Sequence, residues 1–258
     1  MTHSGPEEAY KKGMAEYEAE DYEAAIRYFR AVFNYGRGNE WAPDAQFQLA
    51  EAHRERGQYL VAANEFQRFQ QLYRTNDRVP RAQYERARAY YLQSPAYHLD
   101  QSHSERAISL FQLFIDRHPN HELVSDAEEK ISELREKLAH KKYDAAGMYE
   151  QRRMWRAATE TYERTFDQYP ETQWADNALL GAIRSYVRYA DRSVANKQGE
   201  RYQQAIDYYA RLEQLFPDSP LLKQAKPLRD EAQQKLEEVR EQEERQSLAQ
   251  DDTSGDAR

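Results

Sequence analysis

The chain has 258 residues, a formal net charge of −8 and no cysteine, with 40% hydrophobic and 32% charged residues. That balance argues against a general nucleic-acid binder, which needs a basic face to neutralise phosphate, and the missing cysteine removes disulfides, thiolate metal sites and thiol nucleophiles. No run of about 18 apolar residues is present, so no helix spans a membrane, and Met1 to Glu8 lacks the apolar core of a secretion signal.

Only nine Gly and nine Pro among many Ala, Glu, Gln, Arg and Leu point to an all-α protein. Ser4-Gly5-Pro6-Glu7-Glu8 reads as a helix start, with proline in the first turn and acids facing the positive end of the dipole. Ala9, Tyr10, Gly13 and Tyr17 follow on one helix, and Tyr22, Ala25, Ile26, Phe29 and Val32 on a second. Thirty-seven positions later the pattern returns: Tyr59, Ala62, Phe66 and Phe69 stand in step with Tyr22, Ala25, Phe29 and Val32, and Ala50 with Gly13. A period of about 20–50 residues marks a solenoid, and two helices per unit match the tetratricopeptide (TPR) pattern.

A third copy opens with Ala82, Tyr84, Ala87 and Tyr90, and its second helix resumes at Ala107, Phe111 and Phe114. Ala107 follows Ala62 by 45 positions instead of 37, so extra residues lie in Leu92–Ser104, an insertion expected as a loop. From Ser125 to Gln151 there is no stop signal, and one long helix is expected, its last part opening a fourth unit that continues with Trp155, Ala158, Tyr162 and Phe166. Gly147 lies inside that helix and weakens it by about 1 kcal/mol relative to Ala. The fifth unit carries Ala178, Leu180, Ile183 and Tyr186, an insertion at Asp191–Gly199, then Tyr202, Ala205, Tyr209 and Leu212. A capping helix from Pro220 is expected to be interrupted or kinked near Pro227. The reading is a right-handed TPR-type α-solenoid of five helix-pair repeats with a C-terminal capping helix. Its divisions are 6–119 (repeats 1–3, a peptide groove), 120–239 (linking helix, repeats 4–5 and cap, a docking half) and 240–258 (a disordered charged tail).

The second half carries more than periodicity. Ser125-Asp126-Ala127 through Leu138-Ala139, Tyr143 to Tyr149, Trp155-Arg156-Ala157-Ala158, Asp167 to Thr172 and Asp176 to Leu179 resemble the BamD family of outer-membrane assembly lipoproteins. The resemblance covers roughly Glu8 to Leu215 and is most specific over 125–179. It implies a five-repeat, non-enzymatic scaffold on the periplasmic face of the bacterial outer membrane, lipid-anchored in the native protein. It further implies docking on the periplasmic domains of BamA beside other lipoproteins of the assembly complex, and contact with the C-terminal segments of barrel substrates. A lipoprotein needs an N-terminal cysteine, and the expectation is that Met1 to Pro6 replaces or lacks that leader. The alternative is a generic periplasmic or cytosolic TPR adaptor of the cell-envelope coordination type, for which the 125–179 block would be superfluous.

No convergent nucleophile, base or phosphate loop is found, and the seven histidines show no ligand spacing, so neither cofactor nor metal is expected. The candidate site is the concave groove lined by the first helix of each repeat. Its inward positions are Tyr10, Met14 and Tyr17, then Phe47, Glu51 and Arg54, then Tyr84, Arg88 and Tyr91. Aromatics beside Arg54 and Arg88 suit a peptide with an aromatic side chain and a free carboxylate, because guanidinium pairs with carboxylate in a bidentate way. The same aromatics also suit packing between helices, and the same arginines a solvated surface.

Overall fold

The computed structural model describes residues 4–255, and side chains for residues 4–246. Among them are eleven α-helices, one 3₁₀ turn (Phe33–Tyr35) and no strand. The helices pair in chain order: α1 (Pro6–Glu18) with α2 (Tyr22–Val32), α3 (Ala42–Glu55) with α4 (Tyr59–Leu72), α5 (Val79–Gln93) with α6 (Ser102–Arg117), α7 (Val124–Gln151) with α8 (Trp155–Gln168), and α9 (Ala175–Asp191) with α10 (Ala195–Leu215); α11 (Leu222–Gly255) closes the series. This is the TPR-type solenoid of five helix pairs and a cap. Its contacts group into two compact units, Met1–Leu134 and Arg135–Arg258, and the boundary falls inside α7.

In the first unit the recurring small and bulky positions are the core. Ala25, Ala62 and Ala107 are completely buried, and so are Phe29, Phe66 and Phe111 one turn on, then Val32, Phe69 and Phe114. Each buried phenylalanine contributes about 1.5–3 kcal/mol of apolar burial. The small partners set how closely helices approach: a Cβ on Gly13 of α1 would lie 2.7 Å from the Phe29 ring of α2. Gly57 ends α3 with φ +71, the left-handed conformation that closes the turn into α4, and its neighbour Gln58 returns its N–H to the His53 carbonyl. The Leu92–Ser104 insertion is a loop, from the end of α5 to the start of α6, wound around one side chain. Buried Gln101 donates from Nε2 to the carbonyls of Ala96 and Leu99 at 2.8 and 3.1 Å, and the Ser104 hydroxyl donates to its Oε1 at 2.6 Å.

The second unit has one continuous core in which Ala146, Ala158, Tyr162, Leu179, Ile183, Tyr202 and Leu212 are central. Gly181 of α9 repeats the Gly13 device: an added Cβ would stand 2.5 Å from the Tyr162 ring. The Asp191–Gly199 insertion is mostly helix, its later residues forming the first turn of α10, and a Cβ on Gly199 would lie 3.6 and 3.7 Å from Leu236 and Val239 of α11. Asp191 ties three helices: it accepts the Tyr202 hydroxyl at 2.8 Å, Lys235 Nζ at 2.5 Å and Arg188 at 3.1 Å. Burial would raise its carboxyl, and these three donors outweigh that and hold it below its ordinary value. Of the two outcomes expected at Pro227, an interruption or a kink, the interruption does not occur. α11 is not interrupted at Pro227 but runs unbroken from Leu222 to Gly255; Pro227 lies in its second turn, where it forfeits one backbone hydrogen bond. Past Val239 the Glu-, Gln- and Arg-rich stretch has the propensity to stay helical where a disordered tail from residue 240 is expected, with exposed side chains through 246. The last three residues of that expected tail lie outside the described residues.

Candidate functional site

The first helices of the three N-terminal pairs, α1, α3 and α5, carry the predicted groove residues. Tyr10 and Met14 are partly buried against the first core cluster, with the Tyr10 ring 5.2 Å from Trp41 and 6.0 Å from Phe29. Tyr17 is half-buried, edge-on to Tyr22 at 5.3 Å; burial, with Glu51 and Glu55 nearby, pushes its hydroxyl up to about 12. Tyr84 is a core side chain, which corrects its reading as a ligand-facing aromatic, whereas Phe47 is largely buried and still lines the cleft described below. Phe47 stands edge-on to Phe66 and Phe69 at 5.4 and 5.6 Å, while Tyr84 is 4% exposed, packs on Phe111 and Phe114, and donates its hydroxyl to Asp126. The physical reason is that an aromatic next to the small position of a repeat fills the gap to the second helix before it can reach solvent. Tyr91 stays at the surface, its ring under Lys130 and its hydroxyl donating to Glu133, which raises it to about 12.

The two predicted arginines differ. Arg54 is inside a charge cluster, hydrogen-bonded to Glu51, 2.7 Å from Glu55 and 3.7 Å from fully buried Glu85. Burial alone would lower its pKa, but these carboxylates outweigh that and raise it. Glu51 is raised, first by burial and then by Glu85, despite Arg54. Arg88 is more open and meets Glu85 at 3.3 Å; Arg81, which the sequence reading passed over, meets it from the other side at 3.3 Å and is 48% exposed. Arg81, Glu85 and Arg88 recur at i, i+4 and i+7, so one face of α5 holds all three, and that spacing is the signal that could have found Arg81.

A cleft of about 480 Å³ lies here, lined by Tyr17, Phe47, Gln48, Glu51, Asp77, Arg78, Arg81, His121 and Glu122. Asp77 and Arg78 arrive from the loop before α5, His121 and Glu122 from the loop before α7, positions that no reading of helix faces would include. Arg78 lies over the Phe47 ring at 5.6 Å and pairs with Asp44 at 2.8 Å. The cleft therefore offers half-exposed guanidiniums beside aromatic carbon, an arrangement able to pair a carboxylate and cover a ring. Among the described residues no group of three or more His, Asp or Glu is placed to hold a metal, and no helix is long and apolar enough to cross a membrane.

In the second unit, α7 turns into α8 through Arg153, whose φ of +59 takes the left-handed turn position filled by Gly57 between α3 and α4. The turn sets out Met148 and Met154 with half their surface exposed. Beside it lies a cleft of about 630 Å³ lined by Arg153, Met154, Trp155, Arg156, Ala157, Glu160, Tyr189 and Arg192. Arg156 pairs with Glu160 at 2.9 Å, whereas Arg153 and Arg192 have no side-chain partner among the described residues, so the rim is basic in an acidic chain. On the other side of Trp155 a second cleft, of about 760 Å³, is walled by α7, α8 and α9. There Arg184 grips Glu150 through two nitrogens, and the Tyr162 hydroxyl donates to the same carboxylate at 2.8 Å.

Paired helices in this register define a protein of the TPR-type fold. A TPR repeats protein from Bacteroides fragilis has the same fold, with a TM-score of 0.52 at 14% identity, over 90% of this chain and 99% of that one. The chain belongs to the family described as "YfiO: Outer membrane lipoprotein", which matches residues 3–201. It is 25% identical over 190 residues to the outer membrane protein assembly factor BamD of Caulobacter vibrioides, covering 74% of this chain and 62% of that protein. To the BamD of Rickettsia prowazekii it is 26% identical over 178 residues, covering 69% and 71%. The chain thus spans somewhat under two thirds of the length of the Caulobacter relative.

Proposed function

We propose that this protein is a non-enzymatic scaffold of outer-membrane β-barrel assembly, working at the periplasmic face of the outer membrane and lipid-anchored in its native form. The first unit receives the C-terminal segment of a barrel substrate. The observation that carries this reading is the 480 Å³ cleft that Tyr17, Phe47, Arg78 and Arg81 line together, with Arg88 two turns beyond Arg81 on α5. A terminal carboxylate engages the guanidiniums while an aromatic side chain lies along Tyr17, and Arg54 serves to hold Glu51 and Glu85 in place, not to meet the ligand. The second unit docks on the periplasmic domains of BamA, beside other lipoproteins of the complex, through the basic rim of Arg153 and Arg192 and the exposed Met154. Membership of the family and the assembly-factor name of the relatives support this reading.

Calorimetry with a peptide ending in a free phenylalanine carboxylate tests the first unit. Losing one charge-assisted hydrogen bond costs about 1.5–3 kcal/mol, so amidating the terminus, or Arg81→Gln with Arg88→Gln, should weaken binding by at least about tenfold. Equal affinity for the amidated peptide would refute the reading. For the second unit, Arg153→Glu with Arg192→Glu in the full chain should lose capture of BamA periplasmic domains; undiminished capture would move the docking surface elsewhere.

A further inference from the structure

The guanidiniums in and beside the first-unit cleft already have counter-charges of their own. Arg78 pairs with Asp44 at 2.8 Å. Arg81 and Arg88 each meet Glu85 at 3.3 Å. Arg54 is divided between Glu51, Glu55 at 2.7 Å and Glu85 at 3.7 Å. Four arginines thus face four carboxylates, Asp44, Glu51, Glu55 and Glu85. Asp77 and Glu122 add exposed acids to the lining. A carboxylate brought by a ligand therefore finds no cation to itself, and it binds only when an internal partner lets go.

The arrangement singles out which partner that is. Glu51 lines the cleft yet is almost wholly buried. Around it stand Tyr17 from α1, Arg54 and Glu55 from its own helix, and Glu85 and Arg81 from α5, with Asp77, Arg78, His121 and Glu122 on the loops that complete the cleft. Shut from water and close to a second carboxylate, it binds a proton more readily than an ordinary glutamate does, despite Arg54. Arg81 is the guanidinium held most loosely. Its side chain is half open to solvent, and the Glu85 oxygen it meets, Oε1, is shielded and has no hydrogen-bond partner. Arg54 is placed to succeed it: its Nε donates to Glu51 at 3.0 Å and lies 3.7 Å from the other oxygen of Glu85.

We propose that Glu51 is a proton-operated latch on the carboxylate site: on taking up a proton it yields Arg54 to Glu85, and Arg81 is thereby freed for the terminal carboxylate of the ligand. The proton comes from solvent and stays on a Glu51 oxygen, while Glu85 keeps Arg54 and Arg88. The inference rests on the reading of this cleft as a carboxylate site. Capture and protonation then become one event. Affinity rises as pH falls, about tenfold for each unit by which the ligand shifts the Glu51 proton, and levels off once Glu51 is already protonated in the free protein.

The test has one arm without peptide. In the full chain labelled with ¹³C-glutamate and ¹⁵N-arginine, NMR follows the Glu51 carboxyl carbon and the Arg81 Nε–H together, identified by Glu51→Gln and Arg81→Gln. The Arg81 signal should move with the Glu51 midpoint, and in Glu51→Gln it should stand at its low-pH position throughout. In the second arm a peptide ending in a free phenylalanine carboxylate is titrated by calorimetry from about pH 8 to 5, above the range of its own terminus, in two buffers of unlike ionisation enthalpy. The wild type should take up as much as about one proton on binding, a measurement that needs no variant. Glu51→Gln should take up none and bind at pH 8 about tenfold more tightly than the wild type. His121→Gln should keep the uptake, which separates Glu51 from the imidazole on the same cleft, since histidines titrate in this range.

An Arg81 signal that ignores the Glu51 titration overturns the latch, as does a wild type that binds without proton uptake or an uptake that survives Glu51→Gln; none of these touches the carboxylate reading. A peptide that binds no better than its amidated form at any pH overturns that reading and the coupling with it, whatever Arg81 does in the free protein.

Discussion

Replacing Gly181 with alanine should destabilise the second unit although alanine is the better helix former. The new Cβ would stand 2.5, 2.6 and 2.8 Å from three atoms of the Tyr162 ring. That ring has no room to retreat: it is 1% exposed, Tyr143 lies 5.6 Å from it, and its hydroxyl is held by Glu150. Overpacking of a core costs about 1–3 kcal/mol, and a ring fixed at both ends puts the cost near the upper figure. The gain in helix propensity returns about 1 kcal/mol, which leaves a net loss of about 2 kcal/mol and, in a unit of this size, a fall in melting temperature of about 8 °C. Thermal unfolding followed by far-ultraviolet circular dichroism measures it directly. Gly147→Ala is the internal control, the same exchange in another helix of the same unit, where the nearest atom is 3.7 Å away and a gain of up to about 1 kcal/mol is expected. A Gly181→Ala protein that melts at or above the wild-type temperature would refute the close-approach argument, as would two variants that shift in the same direction.

The charge cluster of the first unit should be visible in the pH dependence of stability. Burial and Glu85 raise the Glu51 carboxyl, so the folded state holds its proton more tightly than the unfolded chain does. The resulting stabilisation is complete below the ordinary carboxylate value and is lost as pH rises through the raised one. Wild type should therefore gain on Glu51→Gln in urea unfolding as pH is lowered across that window, and a difference that is flat with pH would contradict the assignment. Gln101→Ala should loosen the loop between α5 and α6, removing the hydrogen bonds that Gln101 makes with the Ala96 and Leu99 carbonyls and the Ser104 hydroxyl at a cost of about 1–3 kcal/mol. Amide exchange should then quicken over residues 94–104 and not in α3 or α4; unchanged protection would show that the side chain is not what holds the loop.

The helix pairs were legible because the small and bulky positions report packing twice, once in each repeat. Ala25, Ala62 and Ala107 and their phenylalanine partners all reach zero exposure. The groove was less legible, since a helix face read from sequence does not say which of two neighbours an aromatic will meet. Tyr84 shares the register of ligand-facing residues but turns into the core, Phe47 packs on Phe66 and Phe69 while also lining the cleft, and Arg54 satisfies three carboxylates of its own chain. Asp77, Arg78, His121 and Glu122 enter the cleft from connections between helices, where periodicity carries no information. Glycines give the plainest case. Gly147 and Gly181 both lie inside helices in the sequence, and only the distance to Tyr162 separates the one that packing compels from the one that it does not.

A repeat protein lengthens most easily by adding units to an open end. Asp191, bonded at once to Tyr202, Lys235 and Arg188, fastens α11 across the face where a sixth pair would have to stack. The last apolar face of the second unit is thus closed from within the chain, by Ala225, Ala232, Leu236 and Val239 of α11, with the Asp191–Lys235 bond beside them.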